Sequence, residues 1–531
     1  MNRKCTRRQV LRAGLGASQV ALLGAAGGLQ MMRPSRARAA LGAGPKRLLT
    51  IHVRGGWSSE MFFCPLSRDD VRTRFPEPDT FDTEPSFFEP EVLQNLDGTG
   101  DAEDPMDPTL SRIRVPWMWD EAAHAAGDPG GSGFTPHGYA WRHHALYENA
   151  SVLHGIDMGT AAHKSGRICA YSGKAGPIFT DPAIHAFVAD ALLDAFPHRP
   201  LGVVKVGAGM TPNPLGIATG RPVAMTSLGS VQNTLSERDN DAWAGLRDRA
   251  PRPHSAFDGT AAGELHANDL EAFLLSETQR LNGRSNPSTT QFFESLYGTT
   301  AGISRTLALD VVSQLEQTTG FRPDAPIPHW IPSATGPLGT RVARTREIDN
   351  AGLQWQDEFD LALRLMKRDV CSAISLEVLG VNRFVFDTHT SGPRRQFLHV
   401  RLLLDVLGRF LHEMKVSPGP EGGSLLDETL VLIFSEFGRT WPPASDHWPF
   451  QTLVMAGGNV VPNRMIGNYE FPTMGRRRSG LGAPVPMTLE DGSREARTPR
   501  MRDVHYTALH AMGLGETFLP GGPGVIDGVL P

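Results

Sequence analysis

The chain has 531 residues, 40% of them hydrophobic and 21% charged, enough apolar content to bury a large core. Its net charge is −5, and the first 39 residues carry eight basic side chains and no acid, so the remainder stands at −13; a chain that acidic excludes nucleic acid as a partner class. Four cysteines without metal-type spacing exclude a disulfide framework, and nothing after the first 39 residues is long and apolar enough to span a bilayer.

Thr6-Arg7-Arg8-Gln9-Val10-Leu11 forms a twin-arginine signature, followed by a weakly hydrophobic Ala/Gly/Leu stretch to Leu29 and an Ala37-Arg38-Ala39 cleavage pattern. Residues 1–39 therefore read as a Tat signal peptide, which implies the Tat translocase as an export partner and a periplasmic or secreted location. The glycine-rich apolar stretch is shorter than the ~20 residues of a membrane span. That export route carries proteins already folded, often with a metal inserted.

Leu48 to Val53 predicts a strand that breaks into Arg54-Gly55-Gly56-Trp57-Ser58-Ser59-Glu60, where Gly-Gly brings backbone close to a bound group or simply makes a turn. Residues 66–135, rich in Asp, Glu, Pro and Gly, read as a surface excursion. A short helix is expected over 137–146, and a second strand from Ser151 to Leu153 leads into His154-Gly155-Ile156-Asp157. The run from His163 to Gly173 is helical. Lys164, Ser165 and Arg167 in its first turns suit an anionic group or an ordinary capped surface helix.

Leu201 to Val206 is a further strand, and residues 225–345, with helical patches at 269–281 and 291–297, read as an inserted cap or lid. Phe359, Ala362, Leu363 and Met366 recur at helical spacing before a strand from Ala373 to Val378. Phe397, Val400, Leu403, Leu404, Leu407, Phe410, Leu411 and Met414 mark the apolar face of a long helix. Leu430 to Phe434 has the β-branched content of a strand buried on both faces, and Thr452 to Ala456 is the next apolar run. Strands alternating with helices argue a mostly parallel sheet covered on both faces.

Chemistry is expected past the carboxyl ends of such strands. Phe384 to Phe386 reads as a strand end leading into Asp387-Thr388-His389, where the alternation of side chains would turn Asp387 and His389 the same way. That spacing suits two ligands on one metal, or a satisfied Asp–His hydrogen bond. Asp446-His447 lie between prolines in a loop, and Asp503-Val504-His505 repeats the spacing at the start of a helix, Tyr506 to Met512. Imidazole and carboxylate without thiol fit a divalent cation, with zinc or manganese foremost. Glu436 could add a carboxylate, and Arg439 a forked anion clamp or a structural salt bridge.

The twin-arginine leader, the Arg-Gly-Gly turn, the helix from His163, Phe386 to His389, Phe434 to Thr440, Asp446 to Trp448, Ala456 to Gly458 and Asp503 to Leu509 occur in one order. That order resembles domain-of-unknown-function family 1501 (DUF1501), similar in turn to the alkaline phosphatase and sulfatase superfamily. The resemblance implies an alkaline phosphatase-like, doubly wound sheet with helices on both faces and an inserted cap. It also implies one or two divalent metals, probed first as zinc, with manganese or calcium as alternatives. Asp387, His389, Asp446, His447 and His505 would be ligands, with Arg439 near the anion of a phosphate or sulfate ester or a related anionic polymer. The superfamily's metal-binding Asp after the first strand is replaced here by Ser58 and Ser59, and its nucleophile by Ala162-His163. Ser58, His163 or Ser165 would then take part in the attack. The expected function is an exported metal-dependent ester hydrolase; the alternative is a catalytically silent relative that binds a ligand, a cell-surface polymer or a partner protein in the same pocket.

Overall fold

The computed structural model describes residues 44–58, 63, 113, 141, 144–177, 181–193, 195–196, 198–199, 201–206, 315, 318–321, 346–378, 386–387, 392–440, 446–470, 481–515 and 522–531, together with short strands at 93–95, 114–119, 134–136 and 225–227. The leader, most of the 66–135 excursion and of the 225–345 insertion, most of the 137–146 helix, and His389 lie outside the described residues.

Eight strands form the central sheet: β1 (Arg47–Val53), β2 (Ala150–Asp157), β3 (Leu201–Val206), β4 (Met225–Ser227), β5 (Cys371–Val378), β6 (Thr429–Ser435), and beyond them Phe450–Gly457 and Arg464–Ile466. Between β6 and the long strand that follows, Gly438–Arg439 and His447–Trp448 pair as two short strands, β7 and β8. With Phe450–Gly457 as β9 and Arg464–Ile466 as β10, the order across the sheet is β10-β2-β9-β6-β1-β5-β3-β4. The ladders from β6 through β1, β5 and β3 to β4 are parallel, as is β2 with β10. Among the described strands of this sheet, β9 alone runs the other way, antiparallel to both β2 and β6. The sheet is thus mostly parallel, with one reversed strand that the apolar pattern of 452–456 does not announce. That reversal matters for the site: β6 climbs to the carboxyl rim, residues 436–440 and 446–449 stand there, and β9 descends beside it.

β1 and β6 are buried along their whole length, as central parallel strands covered on both faces must be. Leu49, Ile51 and Val53 pack with α3 (Arg346–Lys367) and α4 (Gly392–Val416) through Phe359, Leu363, Met366, Leu403, Leu407 and Phe410. Leu48, on the opposite face of β1, belongs to a second core built by α1 (His163–Ser172), α2 (Ile184–Leu193) and α5 (Met501–Ala511). Helices therefore cover both faces. Each buried Leu, Val or Phe of these stripes contributes about 1.5–3 kcal/mol.

The helix from His163 ends where glycine stops it: Gly173 has φ 73 and its N–H donates to Cys169 O. α3 starts at Arg346, well before Phe359, the first of the periodic apolar positions, and β2 continues through Asp157 rather than stopping at Leu153. Phe386 and Asp387 are not in a strand, and Phe384, Val385 and Thr388 of the expected strand end and its continuation lie outside the described residues. Within the 66–135 stretch, three short strands pair antiparallel, and Ile113 beside them is fully buried. Met225–Ser227 stands at one edge of the described sheet.

Candidate metal centre at the carboxyl rim

Three segments converge past the ends of β1, β5 and β6. Gly55 and Gly56 follow β1 at φ 118 and 77, and a side chain on Gly56 would run into the Phe437 ring, so the turn requires glycine. The N-terminus of α1 presses against the same rim, because Gly166 leaves no room for a Cβ against the Glu436 carbonyl. His163 is the first residue of α1, and Ala162 before it provides no side-chain cap, so the positive end of the helix faces the rim uncapped by a side chain.

His163, Asp387 and His447 place one ligand atom each within 4.8 Å of one another. His163 Nε2 lies 3.1 Å from Asp387 Oδ2, and His447 Nε2 lies 3.2 Å from Asp387 Oδ1. The other ring nitrogens are committed elsewhere. His447 Nδ1 is 2.9 Å from Ala161 O, and a carbonyl can only accept, so Nδ1 carries the proton. His163 Nδ1 donates to Glu436 Oε1 at 2.7 Å. Burial, with the charge of Arg439 added to it, lowers the His447 pKa despite the pull of Asp387. A neutral His447 with its proton on Nδ1 turns a lone pair toward a carboxylate. Two acceptors 3.2 Å apart are unfavourable unless a cation lies between them.

Asp387 stays ionised for a stated reason. Burial opposes its charge, but the hydrogen bond and the positive charge of Arg439 hold its carboxyl below the ordinary range. Arg439 is itself fully buried. Its Nη2 donates to Asp387 Oδ1 at 2.6 Å, to Phe386 O at 3.2 Å and to Gly55 O, and its Nε donates to Gly56 O at 3.1 Å. Arg439 thus stitches the turn after β1 to the loop carrying Asp387. Its Nη1 is buried without an acceptor among the described residues.

The other described residues singled out in the sequence are not in the group formed by His163, Asp387 and His447. Asp446 shapes its own loop: Oδ1 accepts the His447 N–H, and its backbone N–H donates to Thr440 Oγ1. His505 donates Nε2–H to Ala170 O at 3.0 Å, seven residues along α1 from His163, or roughly 10 Å down the helix axis. Burial pushes His505 down to about 4, and Asp503 beside it accepts the Arg500 N–H at the start of α5, so the Asp-Val-His spacing there serves helix α5 and its packing. Ser58 is fully buried behind the glycine turn. Ser165 is half-buried two residues after His163, a separation that does not face it along a helix.

Two groups escaped sequence inspection. His52 is fully buried, with Nε2 3.1 Å from Glu436 Oε2 and Nδ1 3.6 Å from Glu377 Oε1, ion pairs rather than hydrogen bonds. A histidine and a glutamate in strands otherwise readable as wholly buried were the available signal.

Residues 356–520 match the family model described as "Protein of unknown function (DUF1501)". The match spans Asp387, Glu436, Arg439 and His447 but stops short of His163 and His52. No curated protein and no solved structure matches the chain.

Proposed function

We propose that this chain is an exported, metal-dependent hydrolase of phosphate or sulfate esters on an alkaline phosphatase-like, doubly wound sheet. The observation that carries the proposal is the convergence of His163, Asp387 and His447 with both Nδ1 atoms already engaged, so that two Nε2 atoms face one carboxylate. Separations of 3.1 and 3.2 Å fit the edges of a coordination shell with bonds near ~2.0–2.1 Å, which run from about 2.9 Å in octahedral to about 3.3 Å in tetrahedral geometry.

Two imidazoles and a carboxylate suit zinc or manganese better than calcium, which prefers oxygen ligands throughout. Three protein ligands leave a coordination position open, as catalytic rather than structural sites do. When bound, a divalent cation there supplies Lewis-acid polarisation of an ester oxygen and makes water nucleophilic at neutral pH. The protein's part is to hold and orient. Glu436 and Ala161 O fix the two rings, and Arg439 fixes Asp387 while offering Nη1 to an anionic oxygen. The uncapped N-terminus of α1 adds further positive potential for that anion. The twin-arginine leader supports a periplasmic or secreted location reached through the Tat translocase.

The test is metal content by elemental analysis together with turnover of aryl phosphate and aryl sulfate panels with added zinc or manganese. Folded protein that neither holds an ion nor cleaves any ester would overturn the proposal. A second reading, a silent relative that binds an anionic ligand, polymer or partner protein, draws on Ser58 and Ser165: one is fully buried and the other does not share the His163 side of α1, leaving no placed hydroxyl nucleophile among the residues singled out. Stoichiometric metal without turnover would favour it.

A further inference from the structure

Behind the candidate metal centre, charged side chains stand buried on one face of the sheet. His52 of β1 stands in register beside Glu377 of β5, and in parallel strands such neighbours share a face. Thr50, two residues earlier on that face, bonds the buried His185, and Tyr171 of α1 covers His52 with ring centroids 5.4 Å apart. His52, Glu377 and Glu436 are each 0–1% exposed. Burial alone would strip the proton from His52, but Glu377 and Glu436 outweigh it and raise the imidazole to about 9. The result is an imidazolium between two carboxylates. Buried ionic rows of this kind add little stability over apolar side chains of similar volume, so packing alone does not call for one here.

Glu436 links this row to the rim. Oε2 faces His52, and Oε1 accepts His163 Nδ1–H at 2.7 Å. We infer that His52 and Glu436 are positioning residues: His52, steadied by Glu377, anchors Glu436 so that its other oxygen keeps the proton on His163 Nδ1 and turns Nε2 toward Asp387 and His447. A histidine so held is a stronger and better-aimed metal ligand, and loss of such a partner typically weakens metal affinity 10–100-fold. The purpose assigned to the row rests on the metal-centre proposal, but the tautomer it imposes on His163 does not.

The experiment uses the full chain with His52→Leu, His52→Gln and Glu436→Gln, each checked for folding by circular dichroism. Zinc and cobalt titrations give metal affinity, and the visible spectrum of the cobalt form reports ligand geometry. Nitrogen NMR of the metal-free protein reads the His163 tautomer, assigned by loss of its signals in His163→Gln. Expected are a 10–100-fold weaker metal affinity and an altered cobalt spectrum in His52→Leu and Glu436→Gln, recovery of most of that loss in His52→Gln, and a mixed His163 tautomer without metal. If His52→Leu fails to fold, Glu436→Gln, which keeps the shape of the side chain, carries the test. Folded variants with wild-type affinity and an unchanged tautomer would overturn the inference. A wild type that binds no metal, with a tautomer that still shifts in the variants, would remove the hydrolase proposal and leave the positioning row standing.

Discussion

Replacing Asp387 with asparagine keeps the side chain's shape while removing the charge on which His163, His447 and Arg439 converge. Two losses follow, and they separate experimentally. Arg439 keeps its carbonyl acceptors but trades a carboxylate for a neutral amide. A hydrogen bond to a charged group contributes about 1.5–3 kcal/mol, and the 31% exposure of Asp387 screens part of it, so without metal the folded state should lose about 1–2 kcal/mol. The second loss is one member of the three-residue cluster. Since removing an orienting partner already costs 10–100-fold, losing a ligand should cost at least about 100-fold. With zinc at about 100 times the wild-type Kd, linkage stabilises the wild type by about 2.7 kcal/mol, and after a 100-fold loss the same zinc gives only about 0.4 kcal/mol. Urea unfolding followed by circular dichroism, once with zinc and once with chelator, reads both quantities. An asparagine variant that keeps the full zinc-dependent stabilisation would refute the assignment of Asp387 to a metal.

Gly56→Ala forces a Cβ into the Phe437 ring at φ 77, a strain of about 1–3 kcal/mol that should lower the urea midpoint. Because Phe437 packs on both His163 and His447, metal affinity should fall with it. His505→Gln should leave metal affinity unchanged, since His505 bonds Ala170 O two turns down α1. The folded His505 pKa of about 4 lies below its unfolded value of ~6.5, so the unfolded chain binds the extra proton between those pH values. Its contribution, up to about 3 kcal/mol, is therefore full above pH 6.5 and lost as pH falls toward 4, and His505→Gln should flatten stability across that window. Asp369 is buried against Arg47 and Arg199; burial opposes its charge, but the two arginines outweigh it and hold its carboxyl below the ordinary range. Its stabilisation is present above pH ~3.9 and lost as pH falls through the lower folded value, so Asp369→Asn should cost about 3–5 kcal/mol near neutral pH and remove that acid limb from a stability–pH profile.

Periodicity and punctuation made much of the described framework legible before any coordinates. The apolar runs at 48–53, 201–206 and 430–434 are strands because a parallel strand buried on both faces needs nothing but apolar side chains. The 3.6-residue stripe from Val400 to Met414 is a helix, and Gly173 ends another by taking up a left-handed conformation. For the same reason His52 and Glu377 passed unnoticed: a reading tuned to apolar content treats an embedded charge as noise, although it is the exception that carries information. His163 was legible as a participant but not in its place, because its role depends on what stands opposite it.

The sequence by itself determined which segments are strands and helices and which residue types stand ready at their ends, since both follow from neighbours a few positions away. Tertiary structure decided that β9 runs against its neighbours, that Arg439 is a buried stitch as well as a cation, and that among the described residues His163, rather than Asp446 or His505, stands with Asp387 and His447. Those outcomes depend on strand order and register across hundreds of residues. Local propensity carries no record of which distant side chain will stand 3 Å away.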